Sequence, residues 1–162
     1  MAKKKPKNPP GTLITNRQAR RNYQILEVME AGIELRGTEV KSLRNLRGNM
    51  ADAFARVDNG EVILYNFHIS PYEQGNRFNH DPLRPRRLLL HKREIARLAV
   101  ESERKGVSLI PLRLYLKKGR VKVELGMCLG KRQIDKREDI KKAEHDREIA
   151  RAVSKINKIN SR

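Results

Sequence analysis

From Tyr23 onward the chain breaks into short apolar-rich runs separated by turn residues, the mark of strands in a β-rich domain. Residues 23–29 and 33–35 flank Glu30-Ala31-Gly32, where the glycine permits a bend or bulge. Residues 54–57 and 62–67 flank Asp58-Asn59-Gly60, a strong hairpin signal. Residues 87–90 read as another strand, and 107–116 with 120–125 as a last hairpin about Lys118-Gly119. Two stretches carry helical spacing instead. Thr38 reads as an N-cap with Glu39 in the first turn, Val40, Leu43 and Leu46 follow at threes, and Gly48 ends the run. Residues 91–105 place Ile95, Leu98 and Ala99 on one face, with Gly106 just beyond. A polar loop spans 70–85.

The predicted fold is mainly β: an OB-like closed antiparallel barrel of about six strands with two or three short helices. It occupies residues 13–130, between a Lys/Pro/Gly-rich arm at 1–12 and a basic tail at 131–162. The tail holds eleven Lys or Arg and six Asp or Glu, with apolar residues too sparse to order it alone. From Ile149 those apolar residues recur at four, three and three, one narrow helical stripe. Acidic residues lead and basic residues close it, as the helix dipole favours. Two readings stand: a segment mobile when free that becomes a helix in a negatively charged groove, or a solvated, frayed terminus.

Charge narrows the class. The net charge is +18 over 162 residues, divided as +4 in 1–12, +9 in 13–130 and +5 in 131–162. An excess this pervasive points to a polyanion, and nucleic acid is the usual one for a soluble protein. A membrane surface competes, but no long apolar run exists and the tail lacks a Trp/Phe/Leu face. The single cysteine, Cys128, excludes an internal disulfide and suits a reducing, cytoplasmic setting. The basic start has no apolar core behind it, so it does not read as a secretory signal. Four histidines and Cys128 never reach a zinc spacing, and no P-loop, G-x-S-x-G or G-x-G-x-x-G occurs, so no metal, cofactor or catalytic residue is expected. His80-Asp81 beside Arg84, Arg86 and Arg87 offers a notional acid/base pair, but turn formers beside phosphate-binding arginines account for it more naturally. Aromatics are few (four Tyr, three Phe, no Trp), and Phe54, Tyr65 and Phe67 sit at core strand positions. The chain suits folded RNA, read by shape and backbone, better than a single strand. A general ribosomal-RNA-binding assembly protein fits the composition equally well.

The string SPYEQGNRFNHDPLR at 70–84, then RLLLHKRE at 87–94, resembles the signature of the SsrA-binding protein family, SmpB. The likeness extends to EAG at 30–32, GTEVKSLR at 37–44, LYLK at 114–117, GRVKVELG at 119–126, GKR at 130–132 and DKR at 135–137. It implies a non-enzymatic, monomeric factor that binds the tRNA-like part of transfer-messenger RNA and accompanies it to stalled ribosomes. The tail would probe the empty mRNA channel of the small subunit, and elongation factor Tu on the charged RNA would be an indirect partner. The implied RNA-binding positions are Asn16, Glu30 and Leu89. Charge placement adds Arg20, Arg21, Lys41, Arg44, Arg84, Arg86, Arg87, Lys92 and Arg93 as phosphate candidates. By their bare chemistry Glu30 is either an acceptor for RNA or a cap at a bend, and Asn16 either a helix cap or an RNA contact. The implied ribosome-binding tail comprises Lys131, Arg132, Ile134, Asp135, Lys136 and Arg137. Ile134 replaces the family's usual His or Tyr, and Leu129 its usual Lys, which removes an aromatic and a cationic contact.

Overall fold

The computed structural model describes residues 10–160, and for 133–136, 152 and 154–160 the backbone alone. Most of the expected arm thus lies outside the described residues. The chain divides after Gly130, and the segment Pro9–Gly130 forms one compact unit.

Strand β1 (Thr12–Thr15) leads to helix α1 (Arg17–Asn22) and the long strand β2 (Tyr23–Ile33). Helix α2 (Gly37–Arg44), the short β3 (Gly48–Asn49), and the hairpin of β4 (Phe54–Asp58) and β5 (Glu61–Tyr65) follow. After β6 (His68–Ile69), two helical turns (Glu73–Phe78) meet across a kink at Asn76. Strand β7 (Arg86–Leu89), helix α3 (Lys92–Ser102), and the hairpin of β8 (Val107–Lys117) and β9 (Arg120–Gly130) complete the unit. Helix α4 (Gln133–Asn160) belongs to the second unit.

Strands β8, β4, β5, β7, β2 and β9 pair in that order, and β9 returns to β8, so the sheet closes into a ring. Every pairing is antiparallel, and β1 lies against β8 at Arg113–Tyr115 while β3 pairs β6. Alternation then does the sorting. Val62, Leu64, Leu88, Leu114, Val123 and Leu125 point inward at 2 % exposure or less, and their neighbours point out. Each such side chain contributes roughly 1.5–3 kcal/mol on burial. Leu43 of α2 and Leu98 of α3 pack into the same core. Pro111, which lacks an N–H, sits where the β8–β9 register slips, a place the ladder tolerates it.

Four expectations change. Glu30-Ala31-Gly32 is no bend: β2 runs straight through it, with Glu30 opposite Glu124, and its bulge falls at Leu26, between Ile25 and Glu27. Helix α2 starts from Arg36, not Thr38, and Arg36 N–H donates to the Glu39 carboxylate at 2.7 Å. Strand β9 continues to Gly130, and its added residues pair with β2 to close the ring. Strand β1 begins inside the stretch read as an arm. Phe67 is buried, whereas Phe54 and Tyr65 are half-buried and stack on each other at 5.5 Å. The tail backbone is one helix from 133 to 160.

Candidate nucleic-acid interface

An open groove of about 660 Å³ runs along β2 where it meets β7 and β9. Glu30 of β2, Leu89 of β7 and Lys122 of β9 line it, with His91 at the end that leads into α3. Gly32 explains why Leu89 comes so near: a Cβ at 32 would stand 3.1 Å from the Leu89 Cβ. Leu89 is half exposed, an apolar side chain left facing water.

Glu30 is held in place rather than loose. The Tyr115 hydroxyl donates to its Oε2, and Lys117 Nζ reaches Oε2 at 2.9 Å and Oε1 at 3.1 Å. The bonds from Tyr115 and then Lys117 hold the Glu30 carboxyl below its ordinary value. Burial, with the acceptor Glu30 beside it, pushes the Tyr115 hydroxyl up to about 12. Arg113 lies 5.0 Å from the Tyr115 ring centroid and pairs with Glu124. A carboxylate offers about four acceptor sites, and three are taken here. Among the described residues, none donates to the fourth acceptor site, on Oε1. Tyr115, Lys117 and Lys122 were missed from sequence. The alternation Arg113-Leu114-Tyr115-Leu116-Lys117 already placed the polar residues of β8 on one outer face, but only the pairing of β8 with β9 and of β9 with β2 brings Tyr115 and Lys117 within reach of Glu30.

The arginines after the 70–85 loop split into unlike roles. Arg86 is 1 % exposed and bonds to Glu39 at 2.8 and 2.9 Å, to Phe67 O at 2.6 Å, to Arg84 O at 3.0 Å and to Pro82 O at 3.1 Å. Burial removes it from the phosphate candidates. Arg84 binds the same carboxylate at 2.7 and 3.0 Å and is largely covered. Burial alone raises the Glu39 carboxyl, but the bonds from Arg84 and Arg36 N–H and the charge of Arg86 outweigh it and hold it below its ordinary value. Arg87 faces out, bridging Glu34 at 3.1 Å and Glu61 at 2.8 Å.

Asn16 is likewise interior. Its Oδ1 accepts Ala19 N–H at 3.1 Å to cap α1, and its Nδ2 donates to Met50 O at 2.9 Å and Pro111 O at 3.0 Å. Of its two readings the structure supports the cap. Arg20 and Arg21 on α1, Lys41 and Arg44 on α2, and Lys92 and Arg93 on α3 are exposed. The structure therefore joins Glu30 and Leu89 in one groove and leaves these cations on separate helices. In the tail, Lys131 pairs with Asp139 at 2.5 Å, and Arg132 and Arg137 are exposed. The side chains of Ile134, Asp135 and Lys136 lie outside the described residues. Among the described residues, no cluster of His, Cys, Asp or Glu could hold a metal, and no helix is long and apolar enough to cross a membrane. Burial pushes the Cys128 thiol up to about 11.

Comparison with known proteins gives this geometry a context. Residues 13–155 match the family model described as SmpB protein. The SsrA-binding protein of Desulforudis audaxviator (strain MP104C) is 59% identical over 147 residues, 91% of this chain and 96% of that protein. The SsrA-binding protein of Staphylococcus carnosus (strain TM300) is 56% identical over 153 residues, 94% of this chain and 97% of that one. A solved structure described as "tmRNA-SmpB: a journey to the center of the bacterial ribosome" matches at a TM-score of 0.65 and 48% identity. It covers 78% of this chain and 93% of its own.

Proposed function

The chain belongs to the SmpB family, and from that premise we propose that it binds transfer-messenger RNA and brings it to stalled ribosomes for trans-translation. The observation that carries this reading is the groove in which Glu30 and Leu89 stand side by side on a strongly basic barrel. Chemically the groove suits a nucleotide at the bend of a folded RNA. The open acceptor site of Glu30 accepts a hydrogen bond from a ribose hydroxyl or base amino group, and Leu89 gives an apolar face to a base. Lys117 and Tyr115 keep the carboxylate ionised and aimed outward, so it meets RNA without turning.

The barrel, residues 13–130, holds the tRNA-like part of the RNA. Arg20, Arg21, Lys41, Arg44, Lys92 and Arg93 meet phosphates around it, with Arg87 competing between phosphate and its two glutamates. Asn16, Arg84 and Arg86 act through the fold, by positioning α1 and the 70–85 loop. The tail from Lys131 enters the mRNA channel when no message fills it, with Arg132, Ile134, Asp135, Lys136 and Arg137 at the decoding site. The protein is a binding factor rather than an enzyme and works as a monomer in the cytoplasm. It meets elongation factor Tu only through the charged RNA. The test is to sequence RNA that copurifies with tagged protein from its own cells at moderate salt. Transfer-messenger RNA far above its input share is the expected result; recovery in proportion to total ribosomal and transfer RNA would leave general polyanion binding instead.

A further inference from the structure

The loop segment 70–79 carries more order than a solvated connection requires. Ser42 Oγ donates to Ser70 O at 2.5 Å, Arg47 Nη1 to Glu73 Oε1 at 2.6 Å and Thr38 Oγ1 to Phe78 O at 3.4 Å, so the segment is laid along α2. Asn79 closes it on itself, accepting Tyr72 N–H and donating to Tyr72 O, each at 2.8 Å. Gly75 rests against that amide, and a Cβ there would fall 2.8 Å from Asn79 Oδ1. Asn76 takes φ 43° and ψ −125°, a conformation L residues rarely adopt. Strain of roughly 1–3 kcal/mol persists only where the surroundings over-determine it, and it collects at binding sites.

The two residues after that strained position are Arg77 and Phe78. Phe78 is 64 % exposed, and the Arg77 guanidinium lies 5.1 Å from its ring centroid. Lys41 Nζ lies 5.5 Å from the Tyr72 ring on the same surface. Lys41, Arg44, Arg47 and Arg77 stand against Glu73, four charges to one. An open ring backed by a guanidinium, on a clamped loop among cations, has the chemistry of a base-stacking platform.

We propose that α2 and loop 70–79 form a second contact for the same RNA, in which Phe78, backed by Arg77, stacks on an unpaired base while Lys41 and Arg44 meet the adjoining phosphates. The inference rests on the transfer-messenger RNA reading and extends it to a surface outside the groove. Continuity argues for one RNA across both. Strand β2 runs from Glu30 to Ile33 and α2 starts at Gly37, while β7 runs from Leu89 back to Arg86 and the loop. The Glu34–Arg87 and Glu39–Arg84 pairs tie those two connections together.

The experiment uses the full chain with two probes, a transcript of the tRNA-like domain of transfer-messenger RNA and purified ribosomes with an open decoding site. Phe78→Ala should weaken transcript binding by about 5- to 100-fold, the worth of one stacked base, with the salt slope unchanged. Phe78→Tyr should stay near wild type, and Lys41→Ala should lower the salt slope by about 0.9. Chemical probing should show one nucleotide uncovered by Phe78→Ala that Leu89→Ala leaves protected. Transcript affinity unchanged by Phe78→Ala overturns the proposal, whether or not ribosome binding falls. So does a Phe78→Tyr variant as weak as Phe78→Ala. Wild-type protein with no preference for the transcript over bulk transfer RNA would sink the transfer-messenger RNA reading, and this inference with it. Intact preference beside an indifferent Phe78→Ala would sink the inference alone.

Discussion

Glu39 shows how far a residue's neighbours decide its part. It is buried beneath two arginines that lie 45 and 47 positions further along the chain. Removing it leaves Arg86 charged and unpaired in the interior, so Glu39→Ala should cost about 3–5 kcal/mol, measured by urea unfolding. Because its folded carboxyl titrates below the ordinary value, its share of stability is full above that value. The share fades as pH falls through the lowered one. Melting temperatures followed downward from neutral pH should show this acid loss in wild type and less of it in Glu39→Gln. In the groove, Tyr115→Phe removes one donor from Glu30. Transcript affinity should fall about two- to tenfold with the fold intact, read by filter binding. Sequence reasoning singled out Glu30 and Leu89, which line one groove, only through family likeness, since charge placement on a cationic chain points away from a carboxylate. It mistook Arg86 because a string of arginines does not reveal which one the barrel encloses. The sorting depends on strand alternation and on a partner in another element.

Among the elements, hairpins were the most legible. Asn59-Gly60 and Lys118-Gly119 all adopt positive φ, the two-residue turns that their sequences announce. The two helices with apolar periodicity were also found, though their ends shifted. The misreadings share a cause. Gly32 suggested a break in β2, yet its missing side chain makes room for Leu89 across the sheet. The strand read as ending at residue 125 continues to Gly130, and at Gly126 an added Cβ would press on Leu112 at 3.0 Å. Close packing between neighbours is invisible to a one-dimensional pattern. Helix α2 ends unusually: Arg47 N–H reaches Ser42 O and Leu46 N–H reaches Leu43 O, with Leu46 at φ 59° where glycine is preferred. Leu46 is also 63 % exposed and so adds little packing. Leu46→Gly should therefore raise the unfolding free energy by about 0.5–1 kcal/mol, visible as a higher urea midpoint at constant slope.

At the scale of the whole molecule, charge and the division after Gly130 govern what can be separated. If six or more phosphates are met, transcript affinity should drop by roughly three decades from low to moderate salt. A chain ending at Gly130 keeps the ring of strands, so it should bind the transcript nearly as the full chain does and fail to support peptide tagging on stalled ribosomes. Transcript affinity lost with the tail would show that the two units share the RNA. The barrel class was legible because turn signals and short apolar runs count strands without fixing their partners. Which strands meet was not legible, since closure pairs the first long strand with the last.

That closure sets an order on biosynthesis. Gln24 of β2 pairs with Leu129 of β9, about a hundred residues later. At about 5–20 residues per second, β2 waits roughly 5–20 s on the ribosome for the strand that covers it. Throughout that interval its edge is unpaired, with Leu26 and Val28 on its outward side. Yield of folded protein should then follow elongation speed through the middle of the gene. Synonymous slow codons between β2 and β9 should increase aggregation without altering the stability of the molecules that do fold, and equal yields from fast and slow messages would disprove it.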